Sequence, residues 1–81
     1  MTYTMTWYPG GGVEPVTAAL HDVTPDAVLD AAANCDMPCE WFTDGFLYRL
    51  LYAVAYQLLV GADAEVPVPE GIVVVVPRAR L

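Results

Sequence analysis

The stretch EWFTDGFLYRLLYAVAYQLLVG, residues 40–61, decides how the rest of the chain can fold. Its apolar side chains recur at helical spacing, which predicts one long helix that ends at Gly61, a residue type common at helix C-caps. One broad aliphatic face of this helix is expected to point into the core. That face comprises Leu47, Leu50, Leu51, Val54 and Leu58.

A second apolar flank of the same helix is aromatic. We call it the aromatic ribbon, and its members are Trp41, Tyr48, Tyr52, Tyr56 and Leu59. Tryptophan, tyrosine and arginine are the residue types that dominate the energetics of protein interfaces. The alternative is that these rings pack under the rest of the chain, with their hydroxyls at the rim. Because the aliphatic face already supplies a core, we predict a partner interface made of Trp41, Tyr48, Arg49, Tyr52 and Tyr56.

The two ends of the chain predict strands. Residues 2–7 alternate threonine with large apolar side chains, which indicates a half-buried strand. Residues 72–76 are consecutive β-branched residues, which indicates a strand buried on both faces. We expect these terminal strands to pair in one sheet. Because a two-stranded sheet is marginal, we also expect a second copy or a partner strand to extend it, unless residues 66–69 serve as a proline-blunted edge.

The segments between these elements complete the predicted fold. Residues 14–21 predict a short helix with Pro15 in its first turn. Thr24 as an N-cap predicts a second helix over residues 25–33. Residues 62–70 read as an extended, proline-containing linker. The sequence therefore predicts one α+β domain over residues 1–81. Its order is β-α-α-α-β, with the terminal strands paired in one sheet and the helices on one face.

The composition contains a mismatch between apolar content and size. Hydrophobic residues make up 57% of the 81 residues and charged residues 16%, whereas charged residues are about 25% of ordinary soluble domains. A chain of this length should expose roughly 4,800 Å² when folded and has little interior in which to bury a surplus. We therefore expect another molecule to cover part of its apolar surface.

Missing residue types narrow the chemistry. The chain has no serine and no lysine, which excludes a serine nucleophile, a Schiff-base lysine and a phosphate-binding P-loop. Ten acids against three arginines give a net charge of −7, so nucleic acid and anionic membranes are poor partners. We predict no enzymatic activity, no cofactor and no bound metal. With no secretory signal or membrane-spanning stretch recognised, we expect a cytoplasmic protein, located in the host cell or virion if it is viral.

Two other functions stay open. Cys35 and Cys39, which are separated by three residues, and the upstream His21 could belong to a thiol or metal protein, although small buried thiols are the default use of cysteine. An acidic inhibitor could instead occupy a basic groove of a nucleic-acid-handling protein in the host. That reading predicts carboxylates gathered on one surface and binding that weakens steeply with salt.

The preferred hypothesis is that this is a small, acidic, non-enzymatic protein that takes part in protein–protein interaction or assembly. It would self-associate into a homo-oligomer, or dock on a larger protein partner, through the aromatic ribbon. The absence of lysine and the abundance of alanine, valine, proline and glycine favour a GC-rich source. An accessory protein of a phage or virion from such a host fits this description.

Overall fold

A glycine-rich turn reverses the chain after the first strand and creates a hairpin. The computed structural model describes residues 2–77, in which β1 (Tyr3–Tyr8) pairs antiparallel with β2 (Val16–Leu20). Gly10, Gly11 and Gly12 all have positive φ, a backbone region that only glycine enters freely. The helix predicted over residues 14–21 is therefore wrong, because the turn returns this segment alongside β1 and the two strands share their backbone hydrogen bonds.

A second hairpin closes the chain. It joins β3 (Ala64–Pro67) to β4 (Ile72–Pro77) in antiparallel register. The segment predicted as an extended linker over residues 62–70 is extended at β3, where it forms an edge strand of the sheet, close to the proline-blunted edge kept as the alternative for residues 66–69. The strand alternates buried Ala64 and Val66 with exposed Glu65 and Pro67, and a strand at the edge of a sheet tolerates proline.

The four strands form one antiparallel sheet in the order β2-β1-β4-β3. The predicted pairing of the terminal strands is confirmed, since β1 and β4 pair from Tyr3 opposite Pro77 to Tyr8 opposite Ile72. The valine-rich strand is central, so the chain itself supplies the flanking strands that we expected from a second copy or a partner. The α+β class is confirmed, but the predicted order β-α-α-α-β is replaced by two hairpins with the helices between them.

Threonine caps fix the starts of both helices. They are α1 (Pro25–Asn34) and α2 (Asp44–Val60). The hydroxyl oxygens of Thr24 and Thr43 each accept a backbone N–H three residues on, at 3.2 Å. The long helix predicted to begin near residue 40 therefore begins later, because Cys39–Trp41 form a single 3₁₀ turn before the cap. Gly61 ends α2 with φ of 85°, as expected of a helix C-cap.

Both helices lie on one face of the sheet, with α1 against β2 and α2 against β3 and β4. Most of the strand residues that point toward the helices are buried. Buried aliphatic side chains of the two helices pack against them in one core. The largest fully buried side chains are Met5, Leu20, Leu50, Val28, Val54, Val66, Val73 and Val75. The whole chain exposes 4943 Å², close to the area expected from its length.

The opposite face of the sheet presents a different set of side chains, which are half-buried or exposed. They include Thr4, Thr6, Thr17, Ala19, Val74 and Val76. The hydroxyls of Thr6 and Thr17 lie 3.0 Å apart and share a hydrogen bond across the strands. Within residues 2–77, no helix combines the length and the hydropathy required to cross a lipid bilayer.

Candidate protein interface

The outward side of α2 is covered by large apolar side chains. Tyr48 is 77% exposed, Tyr52 75%, Tyr56 56% and Leu59 85%. We call these four residues the tyrosine face. In an ordinary amphipathic helix this side would carry charged and polar residues. In α2 the charged residues are Asp44, in the first turn, and Arg49.

Helical periodicity explains why this face cannot turn inward. The buried residues of α2 are Leu47, Leu50 and Val54, and they fix the side of the helix that meets the sheet. With about 3.6 residues per turn, Tyr48, Tyr52 and Tyr56 then lie on the opposite side. Their spacing in the sequence predicted a flank separate from the aliphatic face, and all three tyrosines are exposed in the structure.

The other two residues of the predicted interface lie in different settings. Arg49 is exposed on α2, next to the tyrosine face. Trp41 lies before the helix, in the 3₁₀ turn, and is only half exposed. Its ring packs edge-to-face on Trp7 with centroids 5.6 Å apart, while the Trp7 indole N–H donates to the Glu70 carbonyl at 2.7 Å. Helical spacing therefore does not align Trp41 with the tyrosines, and it contributes to packing at the edge of the core.

A shallow groove adjoins the tyrosine face where the two helices begin. It has a volume of about 400 Å³ and is lined by Pro25, Asp44, Leu47, Tyr48 and Leu51. Tyr48 belongs to both features, so the groove continues the tyrosine face toward α1. An apolar side chain from a partner could enter it, and the Asp44 carboxylate stands at its wall.

Most of the charge lies away from the tyrosine face, and the exceptions are Asp44, at the groove beside Tyr48, and Arg49, at the flank of the face. All ten carboxylates are exposed, and they lie in the turns, on α1, in the 3₁₀ turn, at the start of α2 and in the last hairpin. None belongs to the tyrosine face itself. Arg49 is the only lysine or arginine among residues 2–77. A partner covering this face would thus meet an apolar, hydroxyl-bearing surface with one cation at its flank.

The cysteines occupy unlike environments. Both are free thiols, Cys35 buried and Cys39 exposed. Burial, with a further contribution from the neighbouring Asp36 charge, raises the pKa of the Cys35 thiol, and its sulfur lies 3.7 Å from the Val16 carbonyl oxygen as a donor. A raised pKa disfavours the thiolate that nucleophilic or metal chemistry requires.

The residues of the thiol or metal alternative are not assembled into a recognisable metal site. Across residues 2–77 no group of three histidine, cysteine, aspartate or glutamate side chains is placed to hold a metal ion. His21 is exposed immediately after β2.

One residue of this surface was missed by the sequence reasoning. Gly45 is exposed in the first turn of α2, and a Cβ added there would meet nothing within 4 Å. The available signal was its spacing, seven residues before Tyr52 and on the same side of the helix.

Comparisons of the chain with protein-family models, with curated proteins and with solved structures find no match.

Proposed function

We propose that this protein is a non-enzymatic interaction or assembly protein that binds another protein surface through the tyrosine face. The observation that carries the proposal is the exposure of Tyr48, Tyr52, Tyr56 and Leu59, each more than half exposed, on the side of α2 that faces away from the core. Tyrosine offers a large contact area at a small entropic cost, and its hydroxyl can remain hydrogen-bonded at the rim of an interface.

The size of the face supports this role. With about 150–250 Å² for each aromatic side chain, the exposed fractions leave on the order of 500 Å² of largely apolar surface in one continuous strip. The largest such patch on a typical monomer covers about 300–600 Å² and is often functional. Four of the nine large hydrophobic side chains that are exposed among residues 2–77 lie on this face, and three of these four are the most exposed tyrosines.

The setting of this interaction is part of the proposal. Two free thiols suit a reducing compartment, and we place the protein in the cytoplasm. The lysine-free, alanine- and valine-rich composition supports a GC-rich source, in which an accessory role in a phage or virion would give a small chain of this kind a larger assembly to join.

The test replaces two tyrosines by carboxylates. Tyr52→Glu combined with Tyr56→Glu should abolish association, because two charges would have to be buried without partners. The helical circular dichroism should be retained, since both side chains point away from the core. The measurement is molar mass by light scattering after size exclusion, at matched concentrations.

A matched control adds the same two charges elsewhere. Val13→Glu combined with Ala33→Glu changes exposed residues of the first hairpin and of α1 and should leave association intact. If both double variants lose association, net charge and not the tyrosine face governs it. If both keep it, another surface holds the copies together. If Tyr52→Glu with Tyr56→Glu unfolds the chain, the tyrosines belong to the core and the proposed function is wrong.

A further inference from the structure

The residues along the outward side of α2 are arranged symmetrically about Tyr52. Tyr48 and Tyr56 lie four residues to either side of it, and Gly45 and Leu59 lie seven residues to either side. We propose that the occupant of the tyrosine face is a second copy of this chain, whose α2 packs antiparallel to the first with Tyr52 at the twofold axis. This inference rests on the proposed function and specifies the partner.

A twofold axis at Tyr52 dictates the other pairs. In an isologous contact, each residue on one side of the axis faces its counterpart from the other side. Tyr48 then faces the partner's Tyr56, and Gly45 faces the partner's Leu59. Leu59, the most exposed large hydrophobic side chain among residues 2–77 at 85%, is therefore placed opposite the one position on that side of the helix without a side chain.

Gly45 has no other evident purpose in the fold. Its φ is not among the positive values found at other glycines, so the backbone does not require glycine there. A Cβ would meet nothing within 4 Å, so its own chain does not fill the space either. A helix is less stable with glycine than with alanine at an interior position. A close approach by the partner's Leu59 would explain why position 45 is nevertheless glycine.

The spacing also matches a helix pair. Gly45, Tyr52 and Leu59 recur every seven residues, and Tyr48 and Tyr56 lie one turn to either side of Tyr52. These five positions share one side of the helix and map onto themselves under the twofold axis, so they form the seam between the two antiparallel helices. The seam runs along the side of α2 that the sheet leaves open, so pairing does not compete with the core.

Electrostatics allows such a pair despite a net charge of −7 on each copy. The seam contains no carboxylate, and the charges elsewhere are screened over about 8 Å at physiological salt. Antiparallel packing also sets the two helix dipoles in opposition, which is the favourable arrangement. Arg49, at the flank, faces the partner's Ala55 across the axis and meets no like charge there.

The buried area is sufficient for a reversible dimer. About 500 Å² from each tyrosine face gives on the order of 1,000 Å² in total, at the lower limit of specific protein interfaces. The pair should therefore form and dissociate with concentration. The groove beside Tyr48 could add contact area where the partner's α2 ends.

Cysteine cross-linking tests the arrangement. In a Cys39→Ser background that keeps the buried Cys35, Tyr52→Cys should form a covalent dimer on oxidation with copper phenanthroline. Tyr48→Cys and Tyr56→Cys should each fail to cross-link alone, because antiparallel packing holds each pair of identical positions about 12 Å apart along the axis. Mixed together, these two variants should cross-link.

A second pair keeps every tyrosine in place. Gly45→Cys mixed with Leu59→Cys should yield covalent dimers, and neither variant alone should, which covers the case in which loss of a tyrosine prevents pairing. Cross-linking of Tyr48→Cys, Tyr52→Cys and Tyr56→Cys each with itself would overturn the antiparallel register, while leaving the tyrosine face as the interface.

Two further outcomes separate this inference from the proposed function. An unmodified chain that stays monomeric at every concentration overturns the second copy as the occupant, although a foreign protein could still bind the tyrosine face. A dimer that survives Tyr52→Glu with Tyr56→Glu and gives none of these cross-links also overturns the second copy as the occupant, because another surface then holds the copies together. The proposed function fails separately, if Tyr52→Glu with Tyr56→Glu unfolds the chain.

Discussion

At the residue scale, one glycine shows how closely the two hairpins approach each other. Gly71, which precedes β4, has φ of 93°, and a Cβ there would overlap the carbonyl oxygen of Tyr8 at the end of β1. Backbone conformation and space therefore both demand glycine. Gly12 has a similar φ of 82° but open space around it, so the two positions separate the cost of strain from the cost of a clash.

We expect Gly71→Ala to destabilise the chain clearly more than Gly12→Ala. The latter should cost about 1–2 kcal/mol for left-handed backbone alone, whereas the former must also displace β1 from β4. Urea unfolding followed by circular dichroism gives both values. Equal losses at the two positions would contradict the close contact between the hairpins.

The buried thiol makes stability depend on pH. The pKa of Cys35 is raised in the folded chain, so above about pH 8.5 the unfolded chain loses a proton that the folded chain keeps. The free energy of unfolding should then fall as pH rises through this range, and it should be unaffected by this group below it. Cys35→Ala should flatten the slope relative to the unmodified chain. A slope that Cys35→Ala leaves unchanged would refute the assignment.

At the element scale, the sequence predicts the start of α1 and the end of α2, but it does not predict the strands β2 and β3. Thr24 followed by Pro25 predicted the start of α1, and Gly61 predicted the end of α2, because caps are local chemistry. β2 was mistaken for a helix since Val16–Leu20 contains two alanines and follows a proline. Its pairing partner lies across a turn, and that non-local register decided its structure.

β3 left a weaker signal that could have been used. In the sequence, Ala64 and Val66 alternate with Glu65 and Pro67, and in the structure the first two are buried and the other two exposed. Alternation with a period of two residues is typical of a strand. The prolines nearby suggested a linker, but the edge position in the sheet leaves room for a residue without an N–H. The tyrosine face, in contrast, followed from helical spacing alone, because the aliphatic residues of α2 already fixed which side had to be buried.

The cap of α2 can be tested directly. Thr43→Ala should lower the free energy of unfolding by about 1 kcal/mol, because the Phe46 N–H would lose its 3.2 Å acceptor. Thr43→Ser keeps the oxygen and should stay close to the original stability. Urea titrations of the three chains make the comparison. A loss in Thr43→Ser as large as that in Thr43→Ala would mean that packing, and not the hydrogen bond, sets the start of the helix.

At the scale of the whole molecule, the carboxylate side chains and the tyrosine face occupy different parts of the surface. The carboxylates are all exposed and repel a second copy at long range, whereas the proposed dimer is held by apolar contact at the tyrosine face. Salt should therefore strengthen association modestly, since it screens repulsion between like-charged copies without weakening apolar contact. Binding driven by the carboxylates to a basic surface would instead weaken steeply with salt.

Sedimentation equilibrium of the unmodified chain over a wide concentration range tests the central claim most directly. The tyrosine face predicts a mass that rises from the 8.8 kDa of one chain toward twice that value, reversibly, with a midpoint that moves to lower concentration at higher salt. A mass that stays at 8.8 kDa up to millimolar concentration would contradict the pairing of two copies through α2.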